Sequence, residues 1–440
     1  QIQLKGGKNR NRKAATNNFD LPPYYYDDEV MREDWKDYLG SWQDTDQDVA
    51  QIVADLKSAG VYENTLIFFL TDHGISHLRG KQFLYDEGIK VPLIVRFPDG
   101  FSNGTTREDL VMQIDLLPSS LAYAGIPIPE NIQGKNIFAN DYQERDFIYA
   151  ARDRCDETTE IIRTVRTKKF KYIRNFLNYR PHAQRNQYKD GKEISRHMKQ
   201  LYQEGKLNEL QSSFYQSSRP VEELYDLEKD PFEINNLAGQ PAHQQQLKEM
   251  RSTLYAWMDQ INDPGLIPEP WLEELGKKYG NKYQAMQQPE YQNINRQLIE
   301  IIEAGEKGQV AYLLKKAESP LPSERYWAVT WLGVNKSKKA IQEVKRLLAD
   351  QNPSVRIAAN LALYKINPEF DPVEGLEREL DNENLIVGMY ALNALEQTGI
   401  RNRRVHEIAK KGMENDYEFT KRFAKFLAAE SEKEVAVKNR

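Results

Sequence analysis

Apolar and polar positions in the first 125 residues alternate between helical and strand-like patterns. Apolar side chains recur at spacings of three and four across residues 27–60, which predicts a helix that ends at a glycine. Two apolar runs of strand length follow at 66–70 and 91–97, and a second helical pattern covers 108–124. This order of elements predicts half of a doubly wound α/β sheet, with residues 66–70 as a parallel strand.

The middle of the chain predicts a smaller antiparallel subdomain. Residues 148–150 and 163–176 have strand patterns, and residues 247–261 have the pattern of a closing helix. Residues 183–220 are polar and show little periodicity. We therefore expect this last segment to be a long surface insertion.

From about residue 293 onward, the pattern changes to short amphipathic helices with an internal repeat. Segments that begin at Arg325, Arg356 and Gly388 align at spacings of 31 and 32 residues, and each leads to a leucine. Residues 350–359 read Asp-x-x-Pro-x-Val-Arg-x-x-Ala, which resembles the turn and second-helix start of HEAT repeats. We expect a helical solenoid that packs on the preceding domain, associates with itself or binds a protein partner.

The densest group of chemically active residues begins where the 66–70 run ends. Asp72, His73 and Gly74 follow that run, and ligands of open α/β sheets gather at the carboxyl ends of strands. Aspartate offers an oxygen ligand and histidine a ring nitrogen, so the pair suits a divalent cation beside an anionic substrate. A simple turn after a strand explains the same tripeptide. The charged side chains that follow, including Arg79 and Lys81, favour a functional site.

Several motifs in this region resemble those of the sulfatase family of the alkaline phosphatase superfamily. Sulfatases carry Asp-Asn-Gly or Asp-His-Gly after a strand, then Gly-Lys, a Tyr-Glu-Gly-Gly-Ile-Arg-Val-Pro segment and a late Leu-Tyr-Asp-Leu segment. The corresponding stretches here are residues 72–74, 80–81, 85–95, 113–118, 124–127 and 224–237. The resemblance covers residues 22–260. It implies an α/β fold, the C-terminal part of an alkaline-phosphatase-like sulfatase sheet domain with a small antiparallel subdomain, followed by an all-α HEAT-like solenoid.

The resemblance also implies a role for the charged groups. Asp72 and His73 would be Ca2+ ligands, and Lys81 would contact a sulfate oxygen. His77 would bind the sulfate or protonate the leaving group. Hydrolysis of a sulfate ester develops negative charge on the peripheral and leaving oxygens, which a cation, a lysine and an imidazole can stabilise. Further charged residues are predicted either to bind the sugar or to form surface ion pairs; they are Arg79, Arg152, Asp153 and Arg154.

The sulfatase nucleophile is a formylglycine made from Cys or Ser within Cys/Ser-x-Pro/Ala-x-Arg. The residues after Cys155 do not match this motif, and residues 319–325 echo it with proline and arginine misplaced. We expect Cys155 to be a small packed residue. We expect the chain to be the C-terminal portion of a sulfatase whose formylglycine lies outside it. A truncated chain, a proteolytic piece and a pseudoenzyme are the alternatives.

Composition fits a protein of two to three domains, since 440 residues are 40% hydrophobic and 29% charged. The net charge of -5 argues against a nucleic-acid partner, no apolar run reaches membrane-spanning length, and one cysteine excludes an internal disulfide. We expect four parts. They are 1–140, the sulfatase α/β part; 141–265, the subdomain with its surface insertion; 266–292, a linker; and 293–440, the HEAT-like repeats.

Three functions are consistent with these features. The favoured one is a calcium-dependent sulfatase acting on a sulfated saccharide or related ester. Pairing with HEAT-like repeats resembles bacterial polysaccharide-degrading enzymes, which implies a periplasmic or exported protein. The alternatives are a non-catalytic binding or scaffold protein and a phosphate or phosphonate monoester hydrolase of the same superfamily. The presence of Asp72, His73 and Lys81 favours an enzyme.

Overall fold

The computed structural model describes residues 18–98, 100 and 104–438. The first 17 residues of the predicted α/β part therefore lie outside the described residues. Within the described residues, the strands form a two-stranded sheet and a four-stranded sheet. Helices make up the whole of the C-terminal region.

The N-terminal part combines one long helix with the two-stranded sheet. Helix α1 spans Glu29–Ser58, close to the predicted bounds. It begins where the Asp28 carboxylate accepts a hydrogen bond of 3.1 Å from the backbone nitrogen of Met31. The other elements of this part are β1 (Ile67–Leu70), α2 (Asp86–Ile89), β2 (Leu93–Arg96) and α3 (Leu116–Tyr123).

Strands β1 and β2 pair antiparallel, with Ile67 opposite Arg96 and Leu70 opposite Leu93. The prediction of a parallel strand was wrong, because apolar periodicity carries no information about strand direction. Parallel neighbours need a long crossover, whereas the chain between these strands contains only the short helix α2 and turns back on itself. Helix α3 is shorter than predicted because a 3-10 turn, Gln113–Asp115, precedes it.

The four-stranded sheet confirms the predicted small antiparallel subdomain. Its strand order follows the chain, and every neighbouring pair is antiparallel. The elements of this part are β3 (Ile148–Arg152), β4 (Ile162–Arg166), β5 (Phe170–Asn175), α4 (Gln187–Asp190), α5 (Glu193–Gln203), α6 (Glu209–Ser212) and β6 (Glu222–Asp226).

Residues 183–220 are folded into the molecule, so the prediction of a surface insertion was wrong. Helix α5 buries Ile194, Met198 and Leu201, which lie on one face at spacings of four and three. Ile194, Met198 and Phe214 share a hydrophobic cluster with Phe83 from the loop that follows β1. The many polar residues of this segment made its short amphipathic pattern difficult to recognise in the sequence.

The remaining helices run to the end of the described chain. They are α7 (Gln244–Gln260), α8 (Glu269–Tyr279), α9 (Lys282–Met286), α10 (Ile294–Glu306), α11 (Val310–Ala317), α12 (Pro322–Val334), α13 (Ile341–Leu347), α14 (Pro353–Ile366), α15 (Val373–Arg378), α16 (Leu385–Thr398), α17 (Arg403–Gly412) and α18 (Glu418–Lys438). Helices α12, α14 and α16 contain the three aligned repeat segments. Gly333 is needed where α12 meets α14, because a side chain there would overlap Ala362. Across the described ranges, no helix is both long and apolar enough to cross a bilayer.

The repeats and the four-stranded sheet share one hydrophobic core. Val165 and Tyr172 of the sheet belong to the same buried cluster as Leu332 and Leu363 of the repeats. Polar contacts reinforce this packing: the buried guanidinium of Arg174 lies 2.8 Å from the Glu306 carboxylate, and the Trp327 indole donates a 2.7 Å hydrogen bond to the Leu266 carbonyl. The predicted fold class, α/β followed by an all-α repeat region, is confirmed.

Candidate functional site

The loop after β1 is compact because three glycines permit close backbone contacts. The Gly74 amide donates a 2.9 Å hydrogen bond to the Gly88 carbonyl, and a side chain at Gly74 would overlap the neighbouring Glu87 carbonyl. A side chain at Gly80 would overlap the Ile75 carbonyl. Residues 74–88 therefore form a tight unit that positions the charged side chains around it.

Asp72 and His73 lie at the end of β1, where a cation can reach them. The Asp72 side chain is 83% exposed, and its Oδ2 atom lies 3.5 Å from Nε2 of His73. Nδ1 of His73 lies 2.6 Å from the Gly74 carbonyl oxygen, which accepts only, so Nδ1 carries the proton. In the neutral ring, Nε2 then holds a lone pair beside the Asp72 carboxylate. The Gln113 amide fixes the backbone here through a 2.8 Å hydrogen bond to the Thr71 carbonyl.

This pair fits a cation site only as part of a larger ligand set. Ca2+ takes about six to eight oxygen ligands, whereas Asp72 and His73 offer one carboxylate and one nitrogen. Within the part of the chain that the structure describes, no group of three or more acidic, histidine or cysteine side chains is arranged to hold a metal ion. A cation at Asp72 therefore needs donors other than the described side chains.

Lys81 belongs to the same loop, directly after Gly80. Its ammonium sits 4.8 Å from the centre of the Tyr188 ring, and the Tyr188 hydroxyl is 2.6 Å from the hydroxyl of Ser76. No carboxylate among the described residues forms an ion pair with Lys81. A cation held by an aromatic face and free of a carboxylate is available to an anion.

His77 does not face solvent. Its ring is buried, and its Nε2 atom lies 2.8 Å from Oδ2 of Asp34 on α1, although neither ring nitrogen has a hydrogen bond of regular geometry to a described residue. The ring packs edge-on against three aromatic side chains, Tyr25, Trp35 and Tyr38. This buried placement argues against the predicted contact with a substrate. His77 is close to Lys81 in the sequence, but that proximity does not determine which way its side chain faces.

Arg79 has a structural role. Its guanidinium is buried between the rings of Tyr24 and Tyr85, at 4.4 and 3.8 Å from their centres. It donates hydrogen bonds of 3.0 and 2.9 Å to the carbonyls of Phe232 and Glu233. The guanidinium is thus committed to the protein, which corrects the prediction that it contacts a substrate.

Asp153 and Arg154 form ion pairs, the alternative that the sequence left open. Asp153 lies 2.9 Å from the buried Arg163. Arg154 makes two hydrogen bonds, of 2.6 and 2.9 Å, to the carboxylate of Glu269 at the start of α8. The Arg154 pair connects the β3–β4 loop to α8, whereas the Asp153 pair connects that loop to β4. We therefore do not assign either residue to substrate binding.

Arg152 is different, because it lines a cavity of about 600 Å3. The cavity lies between the loop after β1, residues 179–199 and the repeats, and Gln82, the neighbour of Lys81, borders it. Its lining has six basic side chains and two acidic ones. The basic residues are Arg152, Arg180, Arg185, Lys189, Lys199 and Lys365. Of these six, only Arg152 was predicted as a site residue. Arg185, Lys189 and Lys199 lie in the segment predicted to be a surface insertion, Lys365 lies in the predicted repeats, and no prediction was made for Arg180.

Burial makes these charges costly. Burial lowers the pKa of Arg152 to about 10, with the Arg219 charge adding to the effect and Glu160 opposing it. Burial, reinforced by Lys192, lowers the pKa of Lys189 to about 7. For Lys365, burial beside Arg180 lowers the pKa to about 8. The cavity thus concentrates positive charge that the protein only partly compensates.

The thiol of Cys155 gives no sign of nucleophilic activation. Cys155 pairs with Thr158 in a single β-bridge, and burial, with the nearby Asp156 charge, raises the pKa of its thiol. A raised pKa leaves less thiolate at neutral pH. The expectation of a packed residue agrees with this environment.

Three parts of the chain match known protein families. Residues 7–126 match the sulfatase family model, residues 73–220 match the C-terminal model of N-sulphoglucosamine sulphohydrolase, and residues 310–396 match HEAT repeats. An ulvan-active sulfatase of Formosa agariphila is 37% identical, over 58% of this chain and 43% of that protein. N-sulphoglucosamine sulphohydrolase of Homo sapiens is 27% identical, over 52% of this chain and 48% of that protein.

A solved structure of BT4656, in complex with D-glucosamine-2-N,6-O-disulfate, is 22% identical; the match covers 52% of this chain and 41% of that chain, with a TM-score of 0.39. The matched part of the chain spans less than half the length of each of these proteins. The family matches and the two curated relatives nevertheless agree on one assignment. Residues 7–220 are similar to the sulfatase family, and residues 310–396 are similar to HEAT repeats.

Proposed function

We propose that this chain forms part of a sulfatase that hydrolyses a sulfate ester of a saccharide. In this proposal, Asp72 and His73 contribute to a Ca2+ site, and Lys81 binds a sulfate oxygen. The observation that carries the proposal is the exposed Asp72 carboxylate beside Nε2 of His73, on the same loop as a lysine without an ion-pair partner among the described residues.

Charge explains why these groups suit the reaction. Hydrolysis places negative charge on the sulfate oxygens and on the oxygen of the leaving alcohol. Bound Ca2+ would supply Lewis-acid stabilisation of that charge. The ammonium of Lys81 adds a second positive group, and the tight glycine loop holds both in place before the substrate arrives.

We assign the nucleophile to a formylglycine outside these 440 residues. No segment of this sequence reads Cys/Ser-x-Pro/Ala-x-Arg, and the Cys155 thiol has a raised pKa. The remaining Ca2+ ligands come from outside the described residues as well, since Asp72 and His73 alone cannot satisfy the ion.

The names of the two curated relatives support the proposed substrate class. They specify ulvan and N-sulphoglucosamine, which are saccharides. We extend this class to the present protein. A polysaccharide substrate also favours action in the periplasm or outside the cell, where such polymers occur.

The test compares Asp72→Asn with Asp141→Asn in the complete protein. Asp141 is an exposed carboxylate on a loop and serves as the matched control. We expect Asp72→Asn to lower Ca2+ affinity and sulfate release by more than about 100-fold, because even outer-shell changes at metal sites cost about 10- to 100-fold. Calcium titration calorimetry and a sulfate-release assay measure the two effects. Full activity of Asp72→Asn would contradict the metal assignment.

A further inference from the structure

Most of the basic side chains that line the cavity beside the candidate loop lack carboxylate partners among the described residues. Arg185 is the exception, since it pairs with Asp190 at 3.3 Å and with Glu430 at 3.6 Å. The other five basic side chains of the lining have no ion pair within 4 Å among the described residues. Lys189 donates instead to the His77 carbonyl, a neutral acceptor. The cavity is therefore a region of uncompensated positive charge.

Arg152 shows the imbalance most clearly. Its side chain is 7% exposed, and its Nε and Nη1 atoms are buried without a hydrogen-bond partner in the described part of the chain. Its nearest counter-charge, Glu160, is already bonded to Arg219 and to the Gln184 amide. Buried polar groups without partners are rare in proteins, so these donors indicate a ligand that the protein itself does not supply.

The planar guanidinium also defines the shape of that ligand. A guanidinium presents parallel N–H donors that match two oxygens of a sulfate or a carboxylate. The ring of Phe83 lies 4.6 Å from the guanidinium carbon of Arg152 and supports the guanidinium at the cavity wall. A volume of about 600 Å3 lies within the usual range for small-molecule sites.

The repeats form one wall of this cavity. Lys365 of α14, Asn393 and Gln397 of α16, and Phe423 of α18 all border it. The opposite wall comes from Gln82 and the segment around Lys189, next to the proposed sulfate-binding loop. The cavity and the loop therefore meet at Gln82, the residue after Lys81.

We propose that this cavity is a subsite for an anionic saccharide unit, a sulfate- or carboxylate-bearing sugar, which the sulfatase-like region and the HEAT repeats bind jointly. The inference rests on the proposed function for the identity of the saccharide. It gives the repeats a direct part in substrate binding, beyond their packing on the sheet.

The test measures binding by titration calorimetry with the complete protein, in calcium-free buffer with chelator. The probes are inorganic sulfate, D-glucosamine-2-N,6-O-disulfate, glucuronate and, as an uncharged control, glucose. We expect the charged probes to bind saturably and glucose not to bind. A preference for the disulfate or for glucuronate then tells sulfate recognition from carboxylate recognition.

Two variants locate the site. Arg152→Gln and Lys365→Met are each expected to weaken binding of the preferred probe by about 10- to 100-fold, the range for one hydrogen bond to a charged group. Lys345→Met removes an exposed lysine of the repeats that lies outside the cavity lining and should leave affinity unchanged. If Arg152→Gln does not fold, Lys365→Met on the repeat wall still gives the answer.

Unchanged affinity in Lys365→Met and in any folded Arg152→Gln, or no saturable binding of any of the three charged probes, would overturn the subsite. Asp72→Asn separates this proposal from the previous one. It should abolish sulfate release and leave anion binding in the cavity intact. Probe binding by the unaltered complete protein, if that protein releases no sulfate from any sulfated saccharide, would refute the proposed function and keep the subsite.

Discussion

The loop at residues 71–88 and the cavity lined by Arg152 differ in how far their charged side chains are exposed to solvent. The loop has recognisable motifs, yet its Asp72 carboxylate is exposed and its two metal donors form only part of a site. The cavity has no motif, yet it buries Arg152 and Lys189 without carboxylate partners among the described residues. Sequence motifs therefore pointed to the loop as a site of sulfatase chemistry, whereas the burial of unpaired cations pointed to the cavity as a site for an anionic ligand.

The difference also separates two contributions to a reaction. A group that stabilises charge on the reacting sulfate changes the rate of the chemical step. A group that holds a distant part of the substrate equally in all states changes affinity. We expect Lys81 to act in the first way, on the rate, and Arg152 in the second way, on affinity.

The largest expected effect is at Lys81. Lys81→Met in the complete protein should lower kcat by about 100- to 1,000-fold, the cost of removing one preorganised group at a developing oxyanion. Arg152→Gln should instead raise KM on an extended saccharide. Lys90→Met removes an exposed lysine after the same loop and serves as the control. Steady-state kinetics with a defined sulfated oligosaccharide measures all three. Equal kcat in Lys81→Met and Lys90→Met would remove Lys81 from the reaction.

An intermediate effect is expected from Gly74→Ala. The added methyl group would overlap the Glu87 carbonyl, so the loop must shift, and the free energy of unfolding should fall by about 1–3 kcal/mol. Gly239→Ala is the matched control, because a methyl group there meets no atom within 4 Å. Denaturant unfolding compares the two variants. Equal stabilities would mean that the tight loop does not depend on its glycines.

The smallest effect is a pH dependence of anion binding in the cavity. Lys189 and Lys365, with pKa values of about 7 and about 8, are charged at lower pH and neutral at higher pH. Affinity for inorganic sulfate should therefore be greatest near pH 6 and fall a few-fold as the pH rises to 9. A bound anion raises the pKa of both lysines, so the decrease in affinity occurs at a higher pH. Titrations across this range check the trend, and in Lys365→Met the decrease should shrink.

The same two pKa values affect stability. Each lysine has a higher pKa in the unfolded chain than in the folded protein, so the unfolded state binds more protons between about pH 7 and 10.5. Stability from this source therefore rises with pH over that interval. Anion binding and stability thus change in opposite directions with pH.

Sequence patterns predicted the elements that depend on periodicity. Helix α1, the closing helix α7 and the three aligned repeats have apolar spacings that survive in the structure. Strand direction was not predictable in this way, because β1 has the same apolar pattern whether its neighbour is parallel or antiparallel. The buried face of α5 was visible at Ile194, Met198 and Leu201, but many polar residues surround it.

The candidate site was only partly predictable for a different reason. Arg152 and Arg154 are chemically identical and two residues apart, yet one borders a cavity and the other pairs with Glu269. Glu269 is 115 residues from Arg154 along the chain, so only the tertiary fold determines which arginine has a partner. Asp72 and His73 are adjacent in the sequence, so their proximity could be predicted without the tertiary fold.

The most direct test of the proposed sulfatase activity compares a sulfate ester and a phosphate ester of the same alcohol as substrates of the complete protein, with and without Ca2+. We predict calcium-dependent release of sulfate, with the sulfate ester preferred in kcat/KM. Faster hydrolysis of the phosphate ester would instead indicate a phosphate monoester hydrolase, and hydrolysis of neither ester would indicate a binding protein.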